Sequence, residues 1–213
     1  MIKATHNRRW ELFFKLYSRI YMGLLFKDIR YITDEQTNLD MLKSRSSLIV
    51  ANHFSFWDGF IQMLWCGKLL KKRIFIMMLY QQLVKFPFLK YGGCFSVNKG
   101  RKEVVESLNY GIDILSDINN ALLIFPQGRV ESLYTKSYIF ESGVSALAKR
   151  SKDAAIIFNV NLINYFSNRR ASLNIYLKEY CGERDLKSIE SSFNSFADEC
   201  KKREDGTLKG VKL

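Results

Sequence analysis

Five short apolar runs, separated by stretches with helical spacing, constrain the fold of this chain more than any other feature. Ser47 to Ala51 (SLIVA), Arg73 to Met78 (RIFIMM), Cys94 to Val97 (CFSV), Ala121 to Phe125 (ALLIF) and Ala155 to Val160 (AIIFNV) are near-continuous apolar segments of strand length. Between them, Gly59 to Leu70, Lys102 to Leu115 and Glu141 to Arg150 carry the spacing of helices. A strand that is apolar on both faces must be covered on both, and helices alternating with strands supply that cover. The pattern predicts an α/β domain with a largely parallel or mixed sheet flanked by helices, its ligands gathered at the carboxyl ends of the strands. A further strand is expected near Ser172 to Leu177. Leu186, Ile189, Phe193, Phe196 and Cys200 then fit one face of a closing helix that Gly206 ends.

Ahead of this pattern, Trp10, Phe13, Phe14, Tyr17, Tyr21, Leu24 and Leu25 recur at three- and four-residue steps, with Glu11, Lys15, Ser18 and Arg19 on the opposite side. The spacing predicts an amphipathic helix from Trp10 to Phe26. With Arg8, Arg9, Lys15 and Arg19 around an aromatic face, it has the composition of a helix lying on anionic lipid. Packing of the same face on its own domain fits the periodicity equally well. The chain divides into an N-terminal helix over 1–30, an α/β domain over 31–205 and a basic tail over 206–213. No run approaches the about 20 apolar residues of a spanning helix, and the start MIKATHNRRWELFF lacks the order of a signal peptide. The expected location is the cytoplasmic face of a membrane, peripheral or monotopic.

The 33 Lys+Arg against 21 Asp+Glu give a formal net charge of +12, which calls for a polyanionic partner. Nucleic acid is not the expected one, because the bases are spread along the chain and no RRM-type aromatic signature, GXXG loop or helix-turn-helix pattern is present. An anionic membrane surface is one expected partner, and a phosphate-bearing or acidic cosubstrate is a second use for the charge. Cys66, Cys94, Cys181 and Cys200 stand far apart without a CxxC pair, so they read as reduced thiols, and no metal site is expected.

The residues that carry chemistry follow two of the strands. Asn52-His53-Phe54-Ser55-Phe56-Trp57-Asp58 ends the first and leads into a helix. His53 is the candidate general base, since imidazole titrates near neutral pH. A loop of this length can bring Asp58 against it, where a carboxylate fixes the tautomer and stabilises the imidazolium. Pro126-Gln127-Gly128-Arg129 follows another strand as a tight turn with a guanidinium suited to phosphate. Gly92 to Arg101 (GGCFSVNKGR) forms a third, basic turn. Taken singly, each also fits a plain structural role: a buried histidine, a capping aspartate, a turn, solvated surface charge.

Taken in order, these segments resemble the glycerolipid acyltransferase family. NHFSFWD looks like its first motif, NHxxxxD; GGCFSVNK falls where the second lies; FPQGR looks like the third, usually FPEGTR. FESGVSALAKRS is similar to the helix that follows, with Gly143 and Ala148 in place. The resemblance spans roughly Leu48 to Asn164 and rests on several ordered motifs. It implies an O-acyltransferase with His53 and Asp58 as the catalytic pair. Acyl-CoA or acyl carrier protein would be the cosubstrate, with no other cofactor. Asn52, Lys99, Arg101, Gln127, Gly128 and Arg129 would bind a lysophospholipid or another lipid-like acceptor.

Gln127 stands in place of Glu, Arg129 in place of Thr and Val130 in place of Arg, while Asn98-Lys99 replaces Asp-Arg. These departures leave the acceptor open among lysophospholipid, glycolipid, amino-acid lipid and other amphiphiles. Asn159 and Asn161 are expected to line the crevice, and an apolar tunnel to reach His53 past Phe54, Phe56, Trp57 and Phe60. The competing functions are lipid binding without catalysis on the same fold, and hydrolysis with water as acceptor.

Overall fold

The computed structural model describes residues 1–34, 37–98, 101–204 and 211–212. Its strands are β1 (Phe26–Thr33), β2 (Ser47–Ala51), β3 (Arg73–Leu79), β4 (Cys94–Val97), β5 (Asn120–Ile124), β6 (Ala155–Asn164), β7 (Ala171–Tyr180) and the two-residue β8 (Val211–Lys212). They form one mixed sheet of eight strands in the order β4-β3-β5-β2-β6-β7-β1-β8. The first five in that order are parallel; β7 runs antiparallel to β6, and β8 antiparallel to β1.

β2 lies between β5 and β6 with Ile49 opposite both Leu123 and Ile157. Its side chains alternate between two cores. Ile49 and Ala51 join Phe14, Phe60, Ile61 and Ile76 on one face, where α1 (Arg8–Leu25) and α3 (Asp58–Trp65) pack. Leu48 and Val50 join Ile114, Leu147 and Phe193 on the other, beneath α5 (Arg101–Leu115), α6 (Gly143–Arg150) and α7 (Leu186–Arg203). Burying each such side chain contributes roughly 1.5–3 kcal/mol, which is why the strand sequence is apolar throughout rather than alternating.

The chain leaves β2 toward α3 on one face and leaves the neighbouring β5 toward α6 on the other. Adjacent strands whose helices diverge in this way open a crevice at their carboxyl ends. His53 follows β2 and Pro126 follows β5, so both enter that crevice.

Several elements depart from expectation. β1 continues directly from α1, and the boundary at residue 30 falls inside it. Leu24, Leu25 and Phe26 prolong the helical spacing, while Lys27, Asp28 and Arg30 hide the strand. Because β1 pairs with β7 from Phe26 to Thr33, the N-terminal segment is stitched into the sheet and is not an appendage. The short α2 (Leu39–Lys43), α4 (Tyr80–Lys85) and the 3-10 turn Pro87–Gly92 carry too few residues to show a period. α7 ends at Arg203; Gly206 lies outside the described residues. Within 206–213, Val211 pairs with Tyr31 and Lys212 lies 2.9 Å from Asp28, so that part closes the sheet edge and is not a frayed tail.

α1 buries Phe14, Ser18 and Met22. Ser18, expected on the polar side, is 1% exposed. Leu12, Phe13, Leu16, Ile20 and Leu24 point outward, with Leu16 60% and Ile20 55% exposed. The helix therefore has two apolar faces, one spent on the core and one open.

Past Trp65 the α3 helix widens into a π-helical turn, Cys66–Leu70, that ends on Lys71 in the left-handed region at φ 56°. For a residue with a Cβ that conformation costs roughly 1–2 kcal/mol.

Candidate active site

β2 ends at Ala51, and Asn52 extends its pairing by donating its backbone N–H to the Asn159 carbonyl. The loop then folds back on Asp58. One oxygen of that carboxylate, Oδ2, accepts from the backbone N–H of Phe54 at 2.7 Å and of Ser55 at 2.9 Å, and meets His53 Nδ1 at 2.7 Å. Asp58 is fully buried, while the His53 side chain keeps 23% of its surface exposed. Burial raises the Asp58 carboxyl above its ordinary 3.8, against His53 and the Ser55 and Phe54 amides, which pull it down. A carboxylate held under an imidazole in this way requires Nδ1 to carry the proton, which leaves Nε2 as the basic lone pair.

The imidazole is fixed from two further sides. Its ring stacks on Phe125, the residue after β5, with centroids 4.2 Å apart, and its carbonyl accepts from the Glu131 N–H at 2.8 Å. Among the described residues no hydroxyl or thiol bonds the His53 ring. The arrangement is an imidazole oriented by a buried carboxylate, with no protein nucleophile bonded to the ring among the described residues.

A cavity of about 800 Å³ opens from His53. Phe56, Phe60 and Met63 of the α3 side line it with Phe86 and Leu89; Val104, Leu108, Val144 and Leu147 line it from α5 and α6. It thus wraps round the carboxyl ends of β3 and β5 and is walled by both helical layers. Cys94 also lines it, but burial pushes this thiol up to about 12, so it stays protonated and is a poor nucleophile.

The expected site residues divide. His53, Gly128 and Arg129 all line the cavity, with Asp58 directly behind the histidine. Gly128 has φ 65°, a conformation suited to glycine, and a Cβ there would sit 3.4 Å from Glu141. Arg129 is bonded through Nε to Glu131 at 2.8 Å. Gln127 is only 6% exposed and is not in the cavity wall, and both its amide atoms are buried without a hydrogen-bond partner among the described residues.

Asn52 is likewise buried. Its Nδ2 donates to the Asn161 carbonyl and its Oδ1 accepts the Asn161 N–H, which makes it a support beneath the loop. Asn159 and Asn161, expected in the crevice, are both fully buried in a polar network that continues through Gln62 to the Trp65 indole N–H. Lys99 lies outside the described residues, and Arg101 begins α5. Phe56 and Phe60 line the cavity as expected, whereas Trp57 instead stacks on Tyr21 of α1 with centroids 4.1 Å apart, and Phe54 packs against the core.

The glycines of the second segment have a packing role. Gly92 leaves room for Phe14 and Met63, and Gly93, at φ 98°, seats the His6 ring. Glu131, Glu141 and the Phe125 ring were not read from the sequence; only their proximity to the PQGR turn hinted at them. Among the described residues no cluster of His, Cys, Asp and Glu suits a metal ion, and no helix is long and apolar enough to cross a membrane.

No protein-family model matches this chain, and no curated protein matches it.

Proposed function

We propose that this protein is an acyltransferase of the glycerolipid type, moving a fatty acyl chain from a thioester donor to a hydroxyl of a lipid-like acceptor. The observation that carries the reading is the buried Asp58 carboxylate 2.7 Å from His53 Nδ1 at the head of a cavity of about 800 Å³ with largely apolar walls. His53 Nε2 would take the acceptor's hydroxyl proton as oxygen attacks the thioester carbonyl; the tetrahedral intermediate then expels the thiolate, which leaves with that proton. Asp58 would stabilise the imidazolium between those steps. With no serine or thiol bonded to the ring among the described residues, direct attack by the acceptor fits better than an acyl-enzyme.

Two further features support this reading. The cavity reaches both helical layers, which suits a reaction whose two substrates each carry an alkyl chain. Each buried methylene would contribute about 0.8 kcal/mol. The open apolar face of α1, with Arg8, Arg9 and Arg19 beside it, suits an anionic membrane from which such substrates are drawn. The donor would be acyl-CoA or acyl carrier protein, whose phosphate or acidic surface is matched by the net charge of +12.

The test is thioester consumption by purified protein with palmitoyl-CoA and with palmitoyl carrier protein, against a lipid extract containing lysophospholipids, with products identified by mass spectrometry. A new acylated lipid upholds the reading and names the acceptor. Release of free fatty acid alone would favour hydrolysis. Absence of both, from folded protein bound to liposomes, would favour lipid binding without catalysis.

A further inference from the structure

A second cavity, of about 290 Å³, lies under the N-terminal half of α1. Its walls carry Arg73 and Ile74, at the amino end of β3, so it sits away from the carboxyl-end crevice and is separated from it by Met63, which lines both. Lys15, Lys71, Lys72 and Arg73 line this smaller space together with His6, against one carboxylate, Glu11. That carboxylate is occupied: its Oε1 lies 2.6 Å from His6 Nδ1.

Among the described residues none of these cations forms an ion pair with a carboxylate, although Asp117 attracts Lys72 from farther off. Lys72 donates to the Lys43 and Ile118 carbonyls, but neither bond brings a negative charge. Lys15, Lys71 and Arg73 have no carboxylate partner among the described residues. His6 Nε2 is buried with no hydrogen-bond partner, although the ring is firmly seated between Gly93 and Phe75. The wall itself is unusual, because Gly67 belongs to the π-helical turn and Lys71 adopts the left-handed conformation that glycine would take without strain. Strained backbone of this kind persists where the surroundings hold it and commonly accompanies ligand sites.

We propose that this cavity is a phosphate-binding site, distinct from the crevice at His53, that takes a phosphate monoester with Arg73, Lys71 and Lys15 as its charged contacts. Arg73 supplies a planar donor fork and the lysines point charges, the combination suited to a tetrahedral dianion. His6 Nε2 would supply a further donor where a bound anion, with Glu11, offsets the burial that lowers this imidazole's pKa. The phosphate belongs either to a lipid headgroup, entering beside the open face of α1, or to a soluble ester. This assignment does not depend on acyl transfer.

The experiment is calorimetric titration of the full chain with inorganic phosphate and, separately, with dispersed dioctanoyl phosphatidic acid. It compares wild type, the double variant K71Q/R73Q and a control, K152Q/K187Q, that removes the same charge from exposed positions elsewhere. Saturable binding weakened about tenfold or more by K71Q/R73Q, and much less by the control, upholds the site; losing two charge-assisted contacts accounts for at least that factor. Comparable affinity for both ligands then identifies a soluble ester, and preference for the lipid identifies a headgroup. Thermal melting checks that the variants remain folded. Failure of both ligands to saturate wild type, or equal binding by wild type and K71Q/R73Q, overturns the proposal.

Discussion

Replacing Asp58 with asparagine removes one charge and almost no volume. In the folded protein Oδ2 already accepts from two backbone amides and from His53, and an asparagine Oδ1 can take over all three contacts. What is lost, in the proposed reaction, is attraction between a carboxylate and the imidazolium that would form as the acceptor is deprotonated. The atoms in contact are 2.7 Å apart, and the centres of the delocalised charges are farther, at about 4 Å. At an effective dielectric constant of about 20 such a pair interacts by about 4 kcal/mol. Each 1.36 kcal/mol is tenfold in rate, so Asp58→Asn lowers kcat by about 10³-fold.

KM for the acyl donor stays within about threefold, because Asp58 lies behind His53 and is not in the cavity wall. Steady-state kinetics with saturating acceptor, and thermal melting to show intact folding, measure both quantities. A variant within about threefold of wild-type kcat would refute the role given to the carboxylate.

The same substitution has a signature in stability. The folded Asp58 carboxyl is raised above 3.8 by burial, so its contribution is fully present below the unfolded value and is lost as pH rises through the folded one. The melting temperature of Asp58→Asn relative to wild type therefore climbs as pH is raised through that window; a difference independent of pH contradicts the burial argument. Met63 stands between the two cavities and touches the space that Gly92 leaves open. Met63→Ala deepens the apolar cavity at His53 by the side chain it removes and shifts the preferred acyl chain about two or three carbons longer, at about 0.8 kcal/mol per methylene; a competition assay over an acyl-CoA series reads the shift, and an unchanged profile rejects Met63 as the stop. On α1, the double variant L16E/I20E puts two charges on the open apolar face without entering the core. Cosedimentation with anionic liposomes falls about tenfold or more while melting is unchanged; undiminished binding places the membrane contact elsewhere.

The strands that pack on both faces were legible because nothing but burial explains runs such as SLIVA and ALLIF, and they start and stop within a residue or two of expectation. β6 extends further than its apolar run, since Asn161 and Asn164 interrupt that run and their pairing is seen only with their bonds to Asn52 and Glu204. β1 was hidden because pairing with β7 draws on residues over 140 positions away, a relation no local period records.

At the site, the spacing of His53 and Asp58 carried real geometric information: a four-residue loop with two amides aimed at the carboxylate makes the contact. The roles of Asn52 and Gln127 were not legible. Whether a polar side chain at a strand end faces the crevice or the core depends on neighbours from other strands. For α1, the heptad-like spacing of Trp10, Phe14 and Tyr21 was visible, but Leu12, Leu16 and Ile20 form a second apolar row that only docking of the first leaves exposed.

The central claim is that His53 acts as the base in acyl transfer, and it is tested most directly by the rate of acylated-lipid formation in wild type and His53→Ala under identical donor and acceptor. Loss of a general base and of the imidazole that fills its place predicts a fall of about 10³-fold or more in product, with folding and donor binding retained. Product formed by His53→Ala at a rate near that of wild type would contradict the account.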